Sequence, residues 1–358
     1  MDNSRGLCKK PVTEFTLDDT DSLLKCMKLP TCLKSKLFAI LGGEERGYFE
    51  LEHFVQWREK LHDRGDPAEK FVNILKKPGN RNVDKDDIRQ LLQCLTSTHP
   101  AFESVREGEQ LPKYIETVVA KIFFGYWTGQ ITTAQLRKDA IVEQFVNVEN
   151  QQDLGCVEHG VFRFDEFMVI SDEFNSLCDD DDEEYLDRHD FQPHLTIFVS
   201  DKILERIFQR HKQGADRLEY SDFVTFVLAN CNQYNPKSIE YFFRALDLDD
   251  DGILSVQDIA TLYKGMSWMA VIWGESVMDF KNFICMMFDA IKPRNKNYFT
   301  VSDLKRSKLS PLFINTLINV KTCVGFKKDS IGLTVAASRG HLPHGNHNFL
   351  KDALLELP

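Results

Sequence analysis

Positive charge is the first shortage. Lys and Arg total 44 against 55 Asp and Glu, a net charge of −11, whereas nucleic acids and anionic membrane surfaces are bound through a basic face. No general nucleic-acid partner is expected. Long apolar runs are missing as well, and none reaches the roughly 20 residues of a membrane-spanning helix. The opening Met1-Asp2-Asn3-Ser4-Arg5-Gly6-Leu7 lacks an apolar signal core, so neither membrane insertion nor export is expected. Cysteine pairing signals are absent too. The nine cysteines are scattered, odd in number and without a Cys-x-x-Cys pair, which excludes a disulfide framework or zinc ribbon and fits reduced thiols in the cytosol or nucleus. Methionine is scarce at 8, while Phe is abundant at 27. A sensor whose target groove depends on Met is therefore a poor match, and a permanently packed helical assembly a better one. Clean alternating strand patterns are lacking, so the fold class is all-α.

What is present is a succession of short amphipathic segments. Ile239, Phe242, Phe243 and Leu246 follow the i, i+3, i+4, i+7 spacing of one helix face. Asn235-Pro236 ahead of them supplies a capping side chain and a proline suited to a first turn. A larger regularity recurs along the chain: helix, polar loop, one apolar residue, then an acidic or polar residue four positions on that opens the next helix. Copies centre on Phe49, Val83, Ile131, Phe162, Leu186, Leu218, Leu254 and Phe299. An EF-hand accounts for the pattern, because its loop carries one apolar residue that pairs with a neighbouring loop. Its twelfth position closes the loop and starts the exit helix. Irregular helical hairpins are the plainer alternative. The expectation is an elongated array of EF-hand and degenerate EF-hand-like units in two lobes. Its parts are an N-terminal tail over 1–19, a lobe with degenerate loops over 20–160, a lobe with calcium loops over 161–322, and a C-terminal tail over 323–358.

The strongest motif runs Asp247-Leu248-Asp249-Asp250-Asp251-Gly252-Ile253-Leu254-Ser255-Val256-Gln257-Asp258. Calcium takes six to eight oxygens from positions 1, 3, 5, 7, 9 and 12 of such a loop. Here these are the carboxylates of Asp247, Asp249 and Asp251, the carbonyl of Ile253, Ser255 directly or through water, and Asp258. Gly252 occupies the sharp turn, where positive φ costs glycine little. Asp258 is one methylene shorter than the usual Glu, so weaker calcium binding or more magnesium tolerance is expected. A second loop can be laid over 179–190, offering Asp179, Asp181, Glu183, the Tyr185 carbonyl, Asp187 and Asp190, with Leu186 in the apolar slot. Glu184 in the glycine position and Pro193 close behind weaken it, and a solvated acidic run is its alternative. The loops around Ile131 and Phe299 place Phe124, Tyr126, Thr128 and Gln135, or Lys292, Arg294, Lys296 and Asp303, at ligand positions. They are structural, and the units at Leu254 and Phe299 are expected to pair.

Ser238-Ile239-Glu240-Tyr241-Phe242-Phe243-Arg244 leads into Asp247-x-Asp-x-Asp-Gly, followed by Lys292-Pro293-Arg294 and Leu304-Lys305-Arg306-Ser307-Lys308-Leu309. This order resembles the C-terminal half of the B-double-prime regulatory subunits of protein phosphatase 2A. Upstream, Gly42-Gly43-Glu44-Glu45-Arg46-Gly47, His53-Phe54-Val55, Trp57, Thr98-His99-Pro100 and the run from Tyr114 to Phe124 are similar to the same family, collinearly from about residue 20 to residue 322. The resemblance implies a non-enzymatic, calcium-binding regulatory subunit. It would bind the HEAT-repeat scaffold subunit and the catalytic subunit, and direct the choice or location of phosphoprotein substrates. It also implies that the acidic loop at Asp179 is the family's other calcium site, and that the compartment is cytoplasmic or nuclear, with centrosomal or cytoskeletal settings. A free-standing EF-hand sensor or buffer with other protein targets is the alternative.

Catalytic signatures are missing. Gly345-Asn346-His347-Asn348 superficially matches one block of the metallophosphoesterases, but the Asp and His motifs that hold their two metals are absent upstream. His341, His344 and His347 lie in a Gly- and Pro-containing tail and are expected to be solvated. There is no phosphate-binding glycine loop and no nucleophile elbow.

Overall fold

Capping chemistry starts the helices and, in doing so, closes the loops before them. In the computed structural model, which describes residues 14–62, 65–106, 110–178, 185–188, 190, 200–209 and 217–326, the same reciprocal pair recurs. The Asp84 N–H donates to Asp87 Oδ2 at 3.0 Å and the Asp87 N–H returns to Asp84 Oδ1 at 2.9 Å. Thr16 with Asp19, Thr132 with Gln135, Asp187 with Asp190, Ser255 with Asp258 and Thr300 with Asp303 repeat it. Each box satisfies two backbone donors that a helix start would otherwise leave unpaired. The residue at loop position 9 is thus the N-cap, and position 12 is its partner.

One apolar residue precedes each of these caps, and it pairs across to another loop. Phe15 lies opposite Phe49, Val83 opposite Ile131, Leu186 opposite Leu218 and Leu254 opposite Phe299, each in a two-residue antiparallel ladder. Such ladders are too short to form a sheet that stands alone; they clip pairs of helix-loop-helix units together. The fold is an all-α array of EF-hand-like pairs, and Leu254 and Phe299 pair as their spacing predicts.

The chain divides between Phe164 and Asp165 into two compact units. The first holds the Phe15–Phe49 and Val83–Ile131 pairs. Its core joins Phe71 to Phe145 at 5.8 Å between ring centroids, Phe145 to Phe162 at 5.0 Å and Phe102 to Tyr114 at 5.9 Å. In the second unit Phe174 packs edge-on against Tyr220 and Phe223, and Phe299 lies 4.4 Å from Phe288 and 5.1 Å from Phe313. Each buried Phe contributes about 1.5–3 kcal/mol by leaving water, so the phenylalanine surplus is spent on these cores.

Two sequence expectations change. The fold begins before residue 20: Glu14–Phe15 is a strand and Leu17–Cys26 a helix. Phe162, in contrast, is not a pairing residue among the described ladders. The Val161 N–H donates to Gln144 Oε1 at 2.8 Å and the Phe162 carbonyl accepts from the Tyr114 hydroxyl at 3.0 Å. Its backbone is engaged by side chains, and its buried ring fills the core. Among the described residues no helix is long and apolar enough to cross a membrane.

Candidate metal centre

The helix Pro236–Leu246 delivers the first candidate ligand. Asn235 caps it by accepting from the Lys237 N–H at 2.9 Å, and its buried face carries Ile239, Phe242, Phe243 and Leu246. Asp247 is its C-cap, with the N–H still bonded to the Phe243 carbonyl at 2.9 Å. From there the loop folds by successive side-chain turns. Asp249 Oδ1 accepts from the Asp251 N–H at 3.4 Å, Asp251 Oδ1 from the Ile253 N–H at 2.9 Å, and Asp247 Oδ2 from the Gly252 N–H at 2.9 Å. Asp250 at φ +58° and Gly252 at φ +85° supply the two left-handed residues the turn requires.

This winding brings one oxygen each of Asp247, Asp249 and Asp251 within 4.8 Å of one another. Asp249 and Asp251 are exposed, while Asp247 is buried, and its Oδ1 has no hydrogen-bond partner. Burial, then the charges of Asp251 and Asp250, push the Asp247 carboxyl above its ordinary value, outweighing the N–H groups it accepts. A buried carboxylate oxygen without a donor, facing two more carboxylates, calls for a cation. The donor set is all oxygen, which suits a hard divalent ion such as calcium or magnesium.

The exit side is closed by Ser255 and Asp258. Ser255 Oγ donates to Asp258 Oδ2 at 2.6 Å, the Ser255 N–H reaches the same oxygen at 3.0 Å, and the Asp258 N–H returns to Ser255 Oγ at 3.1 Å. Asp258 does not join the cluster of three carboxylates; its short side chain is committed to the start of helix Val256–Ile272. Ile253 stands at the seventh position, half-buried, with Leu254 fully buried beside it in the ladder with Phe299.

In the second acidic loop, Asp179, Asp181 and Glu183 lie outside the described residues, as do Glu184 and Pro193. Of its other members, Tyr185 pairs with Glu219 in the ladder and stacks under the Arg217 guanidinium at 4.1 Å. Asp187 and Asp190 form the capping box. The helix expected to enter it is present as Phe164–Leu177, with Phe167, Ile170, Phe174 and Leu177 buried. His341, His344 and His347 also lie outside the described residues.

A residue absent from the sequence expectations completes the surroundings. Arg206, on the helix Asp201–Gln209, is buried at 8% exposure. Its Nη2 donates to the Asp247 carbonyl at 2.5 Å and to Asp250 Oδ1 at 2.8 Å. One arginine on an amphipathic helix gives no local signal of this, since its partners lie some 40 residues on.

Known proteins match this chain along the same lines. Residues 66–151 match the EF-hand domain family, a stretch of the first unit whose loops lack the carboxylate ring. The chain is 32% identical over 322 residues to the human B''-beta regulatory subunit of serine/threonine-protein phosphatase 2A, covering 87% of this chain and 56% of that protein. It is 31% identical over 310 residues to the human B''-alpha protein, covering 84% of this chain and 27% of that one. The chain belongs to the B'' family of protein phosphatase 2A regulatory subunits. It spans about half or less of these two longer relatives. A chain from a solved structure described as a PP2A PR70 holoenzyme, with the label diCa, superposes with a TM-score of 0.68 at 31% identity. That match covers 74% of this B'' family member and the whole of the solved chain.

Proposed function

We propose that this B'' family member is a calcium-binding regulatory subunit of a protein phosphatase 2A holoenzyme and is not itself catalytic. It binds the scaffold and catalytic subunits and directs the enzyme's choice or location of phosphoprotein substrates. The observation that carries this reading is the match to the PR70 chain: full coverage of that chain at 31% identity and a TM-score of 0.68. The holoenzyme setting and calcium are supported by that neighbour's description, the scaffold and catalytic subunits by the family resemblance, and the metal also by the donor set here.

Calcium is assigned to Asp247, Asp249 and Asp251, with the Ile253 carbonyl, Ser255 and Asp258 completing the loop's ligand positions. The second site is assigned to Asp179, Asp181, Glu183, Tyr185, Asp187 and Asp190. When bound, the ion neutralises the carboxylates and supplies the missing partner of Asp247 Oδ1. It favours assembly only to the extent that the assembled state binds it more tightly. The scattered cysteines and the family resemblance support a cytosolic or nuclear setting, including centrosomal or cytoskeletal sites.

The test is co-purification of the full chain with purified scaffold and catalytic subunits, in calcium and in chelator. A ternary complex is expected in at least one condition. Recovery of neither partner in both would remove the proposal.

A further inference from the structure

The helix Asp201–Gln209 touches every part of the candidate calcium unit. Its apolar face, Ile203, Leu204, Ile207 and Phe208, is buried, and it packs against both the entering helix Pro236–Leu246 and the exit helix Val256–Ile272. Against the exit helix the approach is close: a Cβ on Gly265 would come within 3.3 Å of the Ser200 Cβ. Against the loop the contact is Arg206. Besides the Asp247 carbonyl and the Asp250 carboxylate, its Nη2 reaches the Arg244 carbonyl at 3.5 Å, while its Nε is buried without a partner. A guanidinium at a helix C-terminus is favoured by the carbonyls left free there, and here it also counters the one loop aspartate that occupies no ligand position.

The same helix also meets the second acidic loop: the Arg188 guanidinium of that loop lies over the ring of Phe208 at 6.0 Å, and the neighbouring Tyr185–Leu186 is laddered to the strand Leu218–Glu219. We propose that helix Asp201–Gln209 couples the Asp247–Asp258 loop to the Leu186–Leu218 loop pair, with Arg206 as the positioning residue that fastens it to the first and Phe208, under Arg188, as its contact with the second. The inference rests on the calcium reading above for its driving force, but the link itself exists without metal. A cation that draws Asp247, Asp249 and Asp251 together acts on the backbone and on Asp250, both held by one guanidinium, so the restraint passes to the helix that carries it. Packed elements transmit such shifts because side chains at native density leave little slack.

Hydrogen exchange of the full chain tests this, with wild type, Arg206→Met, Asp250→Asn and the double substitution Asp247→Ala, Asp249→Ala. At saturating calcium chloride, wild type is expected to gain protection in 247–258 and also in 201–209 and 218–219. The distal gain should be about fivefold or more, the lower end of measured couplings between sites. In Arg206→Met the distal gain should fall relative to the gain in the loop. Asp250→Asn keeps the buried guanidinium and tolerates the left-handed backbone, so it covers the case in which Arg206→Met fails to fold; its distal gain should be reduced in part. The double substitution should lose both gains. A distal gain unchanged in both latch variants, or a wild-type gain confined to the loop, would overturn the coupling. In metal-free protein, Arg206→Met should speed exchange of Gly252, Ile253 and the helix together, and no change there overturns the latch. Absence of any calcium effect in wild type, beside an intact metal-free result, would instead strike the calcium assignment.

Discussion

The loops of the two units meet the same electrostatic problem with different cations. In the first unit, Asp84 and Asp86 sit beside Lys77, whose Nζ donates to Asp84 Oδ2 at 2.8 Å and lies 3.7 Å from Asp86. The loop paired with it has no carboxylate ring at all, and its Tyr126 hydroxyl donates to Asp139 at 2.6 Å. In the second unit, the Phe299 loop follows the same device: the Asp303 carboxylate accepts from the Thr300 and Arg294 N–H groups and from Arg306 Nη2 at 2.6 Å. The Asp247 loop differs. The Arg206 guanidinium holds its backbone and Asp250, and Asp247 Oδ1 is left without a donor. Where the protein supplies its own donor, the loop carboxylate is satisfied from within; in the Asp247 loop one buried carboxylate oxygen is left open to an external cation.

The sharpest break of this comparison is calcium itself. At a thousandfold excess over its dissociation constant, a bound ion adds about 4 kcal/mol to the stability of whatever folds around it. Residue-resolved exchange in calcium against chelator should show this gain across 236–272 and none across 67–98. Asp247→Ala with Asp249→Ala should abolish the gain in 236–272, together with the heat of that site in a calorimetric titration. Calcium protection of the Val83–Ile131 pair would show that the comparison is drawn in the wrong place.

Arg306→Met tests the internal cation. Asp303 is 1% exposed, and losing its charged donor while keeping the backbone donors should cost about 1–2 kcal/mol in urea unfolding. Lys305→Met is the control, because its ion pair with Glu240 is a surface contact of the kind worth at most about 1 kcal/mol. Equal costs for the two variants would mean that Arg306 is an ordinary surface arginine.

Much of this is legible from spacing. The apolar residue ahead of a cap identifies Phe49, Val83, Ile131, Leu186, Leu218, Leu254 and Phe299, all of which pair. The same signature stands at Phe15-Thr16-Leu17-Asp18-Asp19 and repeats Phe299-Thr300-x-x-Asp303, yet spacing alone leaves it in the tail because no helical pattern precedes it. Phe162 carries the pattern without the pairing, since Gln144 and Tyr114 take its neighbourhood's backbone groups. Three members of the carboxylate ring converge as a twelve-residue frame dictates, because local side-chain turns do the folding. Arg206 is invisible for the opposite reason: its contacts are tertiary, and a buried cation on an apolar face has no period to betray it.

The smallest expected effect concerns how the first unit holds its loop pair. Asp66 caps the helix Pro67–Leu75 through the Ala68 N–H at 3.1 Å and also accepts from the Arg137 guanidinium on the helix Thr133–Lys138. Burial raises its pKa, but the Arg137 and Ala68 hydrogen bonds and the Arg137 charge outweigh that and hold it below the ordinary value of 3.8. A carboxyl lowered on folding stabilises the fold when ionised, so the contribution is complete above about pH 5 and is lost as the pH falls through and below 3.8. Asn keeps the cap and removes the charge, and Arg137 is 58% exposed, so Asp66→Asn should cost roughly 0.5–1 kcal/mol at neutral pH after screening. Urea titrations should show that difference shrinking towards zero near about pH 2.5. A difference that holds constant across the range would mean that Asp66 acts as a neutral cap, and that the clamp between the entering helix of one loop and the exit helix of the other is not ionic.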